Sequence, residues 1–254
     1  MSAGSESDSA SQVSSNGTGT YQYYSIELDR QHLVLISLTL TYIQSSKKMS
    51  VKRAIVWFRN DLRVQDNPVL QATRKDFNEV LCVYCFDPRH YQATSFSSHK
   101  TGIYRAKFLI ESVANLRKNL KSIGCELLVA LEKPENIIPK LTSNVKNASV
   151  IVMKEVTYEE IRVENKVEKK LTQTGSGINF TKVVGGCCLY HPDDLPFDEA
   201  LTNMPDVFTP YKDKVEKFCH IRPLSPVLMN GHLPRPVSAE QLISLINDHC
   251  SYEY

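Results

Sequence analysis

Ala54-Ile55-Val56-Trp57-Phe58-Arg59-Asn60-Asp61-Leu62-Arg63-Val64-Gln65-Asp66-Asn67-Pro68-Val69-Leu70 is the stretch whose reading decides the fold of this 254-residue chain. Ala54 to Phe58 form an unbroken apolar run, too short for a typical helix, which reads as a strand covered on both faces. The run then breaks into charged and amide groups. Asp66-Asn67-Pro68 supplies a capping side chain followed by proline at a first helical position. Strand, polar turn and helix start make the first half of a βα unit. In doubly wound sheets the ligand crevice lies at that edge, outside the carboxyl end of the strand.

Working outward, similar short runs recur at 79–86 (EVLCVYCF), 126–131 (ELLVAL), 149–154 (SVIVMK) and 179–184 (NFTKVV). Helical periodicity separates them. The clearest helix spans about 103–123, where Leu109, Val113, Leu116, Leu120 and Ile123 recur every three or four residues and Gly124 ends the pattern. Further helices are expected over Pro68–Lys75, Pro134–Val145 and Thr157–Leu171. Strands alternating with helices predict an α/β fold with a doubly wound, five-stranded, mainly parallel sheet of Rossmann-like type over 53–190.

The flanks read differently. Residues 1–20 are mostly Ser, Gly and Asn, a composition that buries too little surface to order itself, so 1–52 are expected to be a disordered extension. The apolar run His32–Ile43 is too short for a bilayer, which needs about 20 residues. Past Tyr190, prolines 192, 196, 205, 210, 223, 226, 234 and 236 leave room only for a short helix at Tyr211–Phe218 and a helical segment from Ser238. Residues 191–254 are therefore expected to be an irregular linker. A net charge of +2 provides no dominant field for autonomous nucleic-acid binding. Seven cysteines, an odd number lying in apolar segments, with no secretory leader, favour a reducing, intracellular setting.

The segment WFRNDLRVQDNPVL (57–70) resembles the opening signature of the cryptochrome and photolyase family: Trp-Phe-Arg, a variable residue, Asp-Leu-Arg, then Asp-Asn. YCFDPRHY (84–91), KTGIYRAKFLIESVANLRKNL (100–120) and LYHPDDLPF (189–197), followed by MPDVFTPYKDKVE (204–216), are similar to its cryptochrome DASH branch. The resemblance covers about 53–220. It implies the HUP-type α/β domain of a photolyase, which carries an antenna chromophore: 5,10-methenyltetrahydrofolate in many relatives, a deazaflavin or second flavin in others. Complete relatives use FAD, enclosed in a large helical domain, for blue-light signalling or light-driven repair of cyclobutane pyrimidine dimers, and reach DNA through that domain. No second helical core is legible here, and Trp57 is the only tryptophan, so no tryptophan relay can be built. The chain alone is expected to hold an antenna at most, to bind no FAD and to be catalytically silent. The rival readings are a chromophore-free interaction module and a generic nucleotide-binding α/β protein.

Within 156–171 (VTYEEIRVENKVEKKL), Glu160 falls roughly 20° from Val167 and Leu171 on a helical wheel, centring a carboxylate on an apolar stripe. One anionic fork there can accept two N–H bonds from the aminopyrimidine edge of a pterin. The family's folate-contacting acid aligns with this stretch. Alternatively, Thr157 and Glu160 form a capping box. Glu159 lies nearer the rim. Arg59 and Asn60 are candidates at the neighbouring edge, although Arg59 and Arg63 could instead pair with acids. His99 and Lys100 sit in a loop near a folate contact of some relatives, or are simply solvated. Cys82 and Cys85, three apart in a strand, point to opposite faces and do not read as a redox or zinc pair. Cys187, Cys188 and His191 lack the second ligand pair of a structural zinc site, so no metal is expected.

Overall fold

Five strands, β1 (Lys52–Phe58), β2 (Glu79–Cys85), β3 (Leu127–Ala130), β4 (Asn147–Met153) and β5 (Asn179–Val183), lie side by side in the order β3-β2-β1-β4-β5, and every pairing is parallel. The structure, a computed structural model, describes residues 51–142, 145, 147–174, 177–185, 188–238 and 240–242. The expectations for 1–50, for Gly186 and Cys187 and for the segment after 242 fall outside the described residues.

The central strands are buried on both faces because they carry apolar side chains at consecutive positions rather than alternate ones. Ala54, Val56 and Phe58 of β1 with Val80, Cys82 and Tyr84 of β2 belong to one core. Ile55, Trp57, Leu81, Val83 and Cys85 belong to the other. Cys82 and Cys85 thus do point to opposite faces. On the first side lie α1 (Pro68–Ala72) and α2 (Ile103–Ser122), the latter through Val113, Leu116 and Leu120. α3 (Pro134–Thr142) and α4 (Tyr158–Gln173) cover the second side through Ile137, Ile138, Leu141, Val167 and Leu171. Helices on both faces of a parallel sheet make the doubly wound arrangement.

Two helix ends explain their sequences. Asn67 caps α1, its side-chain oxygen accepting from the N–H groups of Val69 (3.0 Å) and Leu70 (3.2 Å). That helix stops at Ala72, earlier than the expected Lys75, because Thr73 turns its hydroxyl back to the Leu70 carbonyl and ends the turn. α2 ends at Gly124, whose φ of +80° closes the turn as Cys125 N–H donates to Leu120 O at 2.9 Å. A Cβ at Gly124 would come within 2.5 Å of Asn230 Oδ1, so a larger residue there would have to displace that side chain.

The proline-rich run after Tyr190 is where the structure departs most from expectation. α5 (Phe208–Phe218) forms close to the expected helix, and Val215 and Cys219 are buried. The chain then returns to the sheet instead of leaving it. Leu228 and Leu233 enter the first core and Val237 the second. Ser225 N–H donates to Asp66 Oδ1, and Gln71 Nε2 donates to Pro226 O. A two-residue strand, β6 (Arg235–Pro236), adds in parallel to Glu79 and Val80, making a sixth strand where five were expected. Proline is tolerated in such an edge position because no partner needs its missing N–H.

Candidate functional site

β1 and β4 are neighbours in the sheet, yet the chain builds outward from β1 in one direction first and from β4 in the other, so their carboxyl ends form the switch point of the winding. The loops after these strands must diverge there, which opens a crevice. The cleft measures about 1140 Å³. Trp57 to Arg63 form one wall, the end of β2 with Asp87 and Arg89 to Tyr91 and the first half of α2 a second, and Thr157 with α4 as far as Lys166 a third.

Arg59 is anchored rather than free. Its guanidinium donates to Glu164 Oε1 at 2.6 Å and to the backbone carbonyl of Glu160 at 3.1 Å, and lies 4.8 Å from the centre of the Trp57 ring. Glu164 is 2% exposed and takes a second cation, Lys182 of β5, at 3.4 Å. Its carboxylate also accepts the Glu155 N–H. One buried carboxylate therefore ties β1, β5, the loop after β4 and α4 together beneath the cleft. Arg63 pairs with Asp61, so both arginines of the signature meet acids.

Asn60 donates to Glu155 Oε1 at 2.9 Å. Burial raises the pKa of Glu155, with the Asn60 hydrogen bond and Arg59 acting against the rise. An acid whose folded pKa lies above its unfolded value costs stability as pH climbs through that interval. Glu155→Gln, which keeps an acceptor for Asn60, should match the parent in melting temperature near pH 4 and exceed it at pH 7. Melting curves across that range check this, and a constant difference would contradict it.

Glu160, half-buried, carries a side chain without a hydrogen-bond or ion-pair partner among the described residues. The expected capping box is not formed: Thr157 occupies the N-cap position, but its side chain makes no cap hydrogen bond. The buried stripe of α4 is centred instead on Glu164, Val167 and Leu171. Glu160, one turn earlier, lines the cleft. Glu159 is exposed and bonds Lys100, which lowers its pKa and ties the loop before α2 to the start of α4. His99 is exposed, paired backbone to backbone with Ala93, and is not among the cleft-lining residues.

Several cleft residues were not singled out in the sequence. Arg89 grips Asp87 (2.5 Å) and Glu135 (2.9 Å), fastening the loop after β2 to the first turn of α3. Burial opposes the ionisation of Asp87, but the bonds from Arg89 outweigh it and hold the pKa low. Burial pushes the Tyr84 phenol up and the His90 imidazole down, so both are neutral at pH 7. Arg105 of α2 lines the cleft with no acid partner among the described residues. Glu164 had a signal in the sequence, since it stands seven residues before Leu171 on the same stripe.

The model of the DNA photolyase family matches residues 54–229. The chain belongs to the DNA photolyase family. Among curated photolyase-family proteins it is 42% identical over 176 residues to the blue-light photoreceptor PHR2 of Arabidopsis thaliana, covering 69% of this chain and 38% of that one. To the cryptochrome DASH of Gloeobacter violaceus it is 41% identical over 178 residues, 70% of this chain and 35% of the relative. Among solved structures, a cryptochrome of Synechocystis superposes with a TM-score of 0.64 at 37% identity, over 73% of this chain and 37% of that one. A photolyase of Sulfolobus tokodaii, solved with two FAD molecules, shares the fold at a TM-score of 0.57 and 22% identity. The chain spans about a third of the length of the curated relatives it matches. Among the described residues of this photolyase-family chain, no helix is long and apolar enough to cross a membrane, and no group of three or more His, Cys, Asp or Glu is placed to hold a metal ion.

Proposed function

We propose that this chain is the antenna-carrying part of a cryptochrome DASH-like blue-light photoreceptor, and that its cleft holds a folate such as 5,10-methenyltetrahydrofolate. The observation that carries the proposal is Glu160, a half-buried carboxylate facing the switch-point cleft without a partner of its own. A carboxylate so placed recognises a two-donor edge, and the aminopyrimidine end of a pterin presents one. The opposite end of a folate carries carboxylates, which suit Arg105 across the cleft. The volume of about 1140 Å³ accommodates a ligand of that size. Asn60 and Arg59 then act through others: Asn60 engages Glu155, and Arg59 holds the Glu160 backbone in place. Lys100 and Glu159 form a latch at the rim.

Such a ligand would supply near-ultraviolet absorption and pass its excitation to an acceptor; the chain's residues bind and orient it. Signalling or repair by FAD and contact with DNA belong, in this reading, to the full-length relatives. The purified chain is incubated with methenyltetrahydrofolate, desalted and scanned for the retained near-ultraviolet band. Glu160→Gln is expected to weaken retention by about tenfold, the loss of one charge-assisted hydrogen-bond pair. No retention, or equal retention by the variant, overturns the folate assignment. Retention of ATP in place of folate would favour a generic nucleotide site.

A further inference from the structure

A second concavity, of about 490 Å³, lies between α2 and the β3 side of the sheet. Its floor is apolar: Phe86, Val129 and, from α2, Ile110 and Val113. Along α2 the same stripe continues at helical spacing into Arg117, Lys118 and Lys121. Lys121 is partly neutralised by Glu126 at 3.5 Å. Arg117 and Lys118 are exposed and have no acid partner among the described residues. Two adjacent cations beside an apolar floor are complementary to a segment that carries both apolar and acidic side chains.

The groove also borders an unfinished sheet edge. β3 ends the strand order, and β6 pairs β2 only at Glu79 and Val80, ahead of the stretch Cys82–Cys85 that β3 uses. Half of the β3 backbone groups therefore face outward with no strand partner among the described residues. Val129, in β3, has its side chain on the α2 side, so a strand added outside it would send alternate side chains into the groove.

We infer that the β3 edge and the α2 stripe form a docking groove for an extended acidic peptide segment of a partner protein. Its backbone continues the sheet at β3, an apolar side chain fills the space between Phe86, Ile110, Val113 and Val129, and its carboxylates meet Arg117 and Lys118. Backbone pairing supplies affinity, and the alternating side chains supply selectivity. An anionic membrane would satisfy the cations but leave the strand edge unused.

The test uses the whole chain and a fluorescein-labelled ten-residue peptide alternating Val or Phe with Asp, followed by fluorescence anisotropy. Saturable binding is expected, weakened at least about fivefold by Arg117→Glu combined with Lys118→Glu and weakened by added salt. Because both residues are exposed, the variant should keep the parent circular dichroism spectrum. A peptide of the same pattern with N-methylated alternate amides, which cannot extend a sheet, should bind much more weakly. Equal binding of a Lys-for-Asp peptide, indifference to the double substitution, or no peptide binding overturns the proposal. So does binding to phosphatidylserine vesicles without peptide binding, or self-association abolished by the same substitutions.

Discussion

Glu164→Gln should lower the unfolding free energy by about 3 kcal/mol, because it leaves the buried guanidinium of Arg59 without its carboxylate, whereas Lys182 keeps Glu168 at 3.3 Å. Removing one partner of a buried pair typically costs about 3–5 kcal/mol. The lower end applies here, since Glu155 is close enough for its charge and that of Arg59 to interact, and Lys182 is part-exposed. For a domain of this size such a loss lowers the melting temperature by roughly 6–12 °C. Folate retention should fall as well, because Arg59 no longer holds the backbone of Glu160. A thermal melt together with the desalting assay checks both effects. A variant that melts normally would show that Arg59 is neutralised some other way.

Glu79→Gln should be at least as costly, about 3–5 kcal/mol, yet leave ligand retention intact in the folded fraction. Glu79 starts β2 at the end of the sheet remote from the cleft, and its side chain is 4% exposed. Arg53, 5% exposed, donates to Oε2 through two nitrogens at 3.2 and 2.9 Å, and Arg235 reaches Oε1 at 2.8 Å. The two arginines should not matter equally. Arg235 is 67% exposed, so Arg235→Ala should cost no more than about 1 kcal/mol. Replacing the buried couple together, Arg53→Met with Glu79→Leu, should recover most of the loss, because no buried charge then stands alone. Denaturant melts of the four proteins decide it, and equal effects of Glu79→Gln and Arg235→Ala would contradict the burial argument.

These contacts mark where the sequence was legible and where it was not. The strands β1, β2 and β4 could be read because double burial imposes unbroken apolar runs, and α2 because one buried face imposes a period. The opening of a cleft at the end of β1 followed from the abrupt change after Phe58. In α4 the wheel drew Glu160 onto the apolar stripe, whereas the buried carboxylate is Glu164, one turn further along. A projection down the helix axis carries no information on where the underlying sheet stops, so Glu160 and Glu164 could not be told apart by depth. The return of 222–237 to the sheet was hidden for another reason. Leu228, Leu233 and Val237 are anchors on an extended, proline-bearing segment, and such a segment has no period to betray it. Glu164, the partner of Arg59, and Glu135, one of the two partners of Arg89, lie 105 and 46 residues away in the chain, beyond any local pattern.

The clasp at Glu79 has a mechanical consequence. Arg53, near the start of the described fold, and Arg235, near its end, bind the same carboxylate, and Lys52 O accepts the Asn78 N–H beside it. A pulling force applied through Arg53 and Arg235 would thus converge on one buried side chain. The two-residue pairing of β6 would peel first, like the corner of a label, while the long pairing of β1 with β4 that floors the cleft would bear load last. The fold keeps its shortest strand pairing and its cleft at opposite ends of the same sheet.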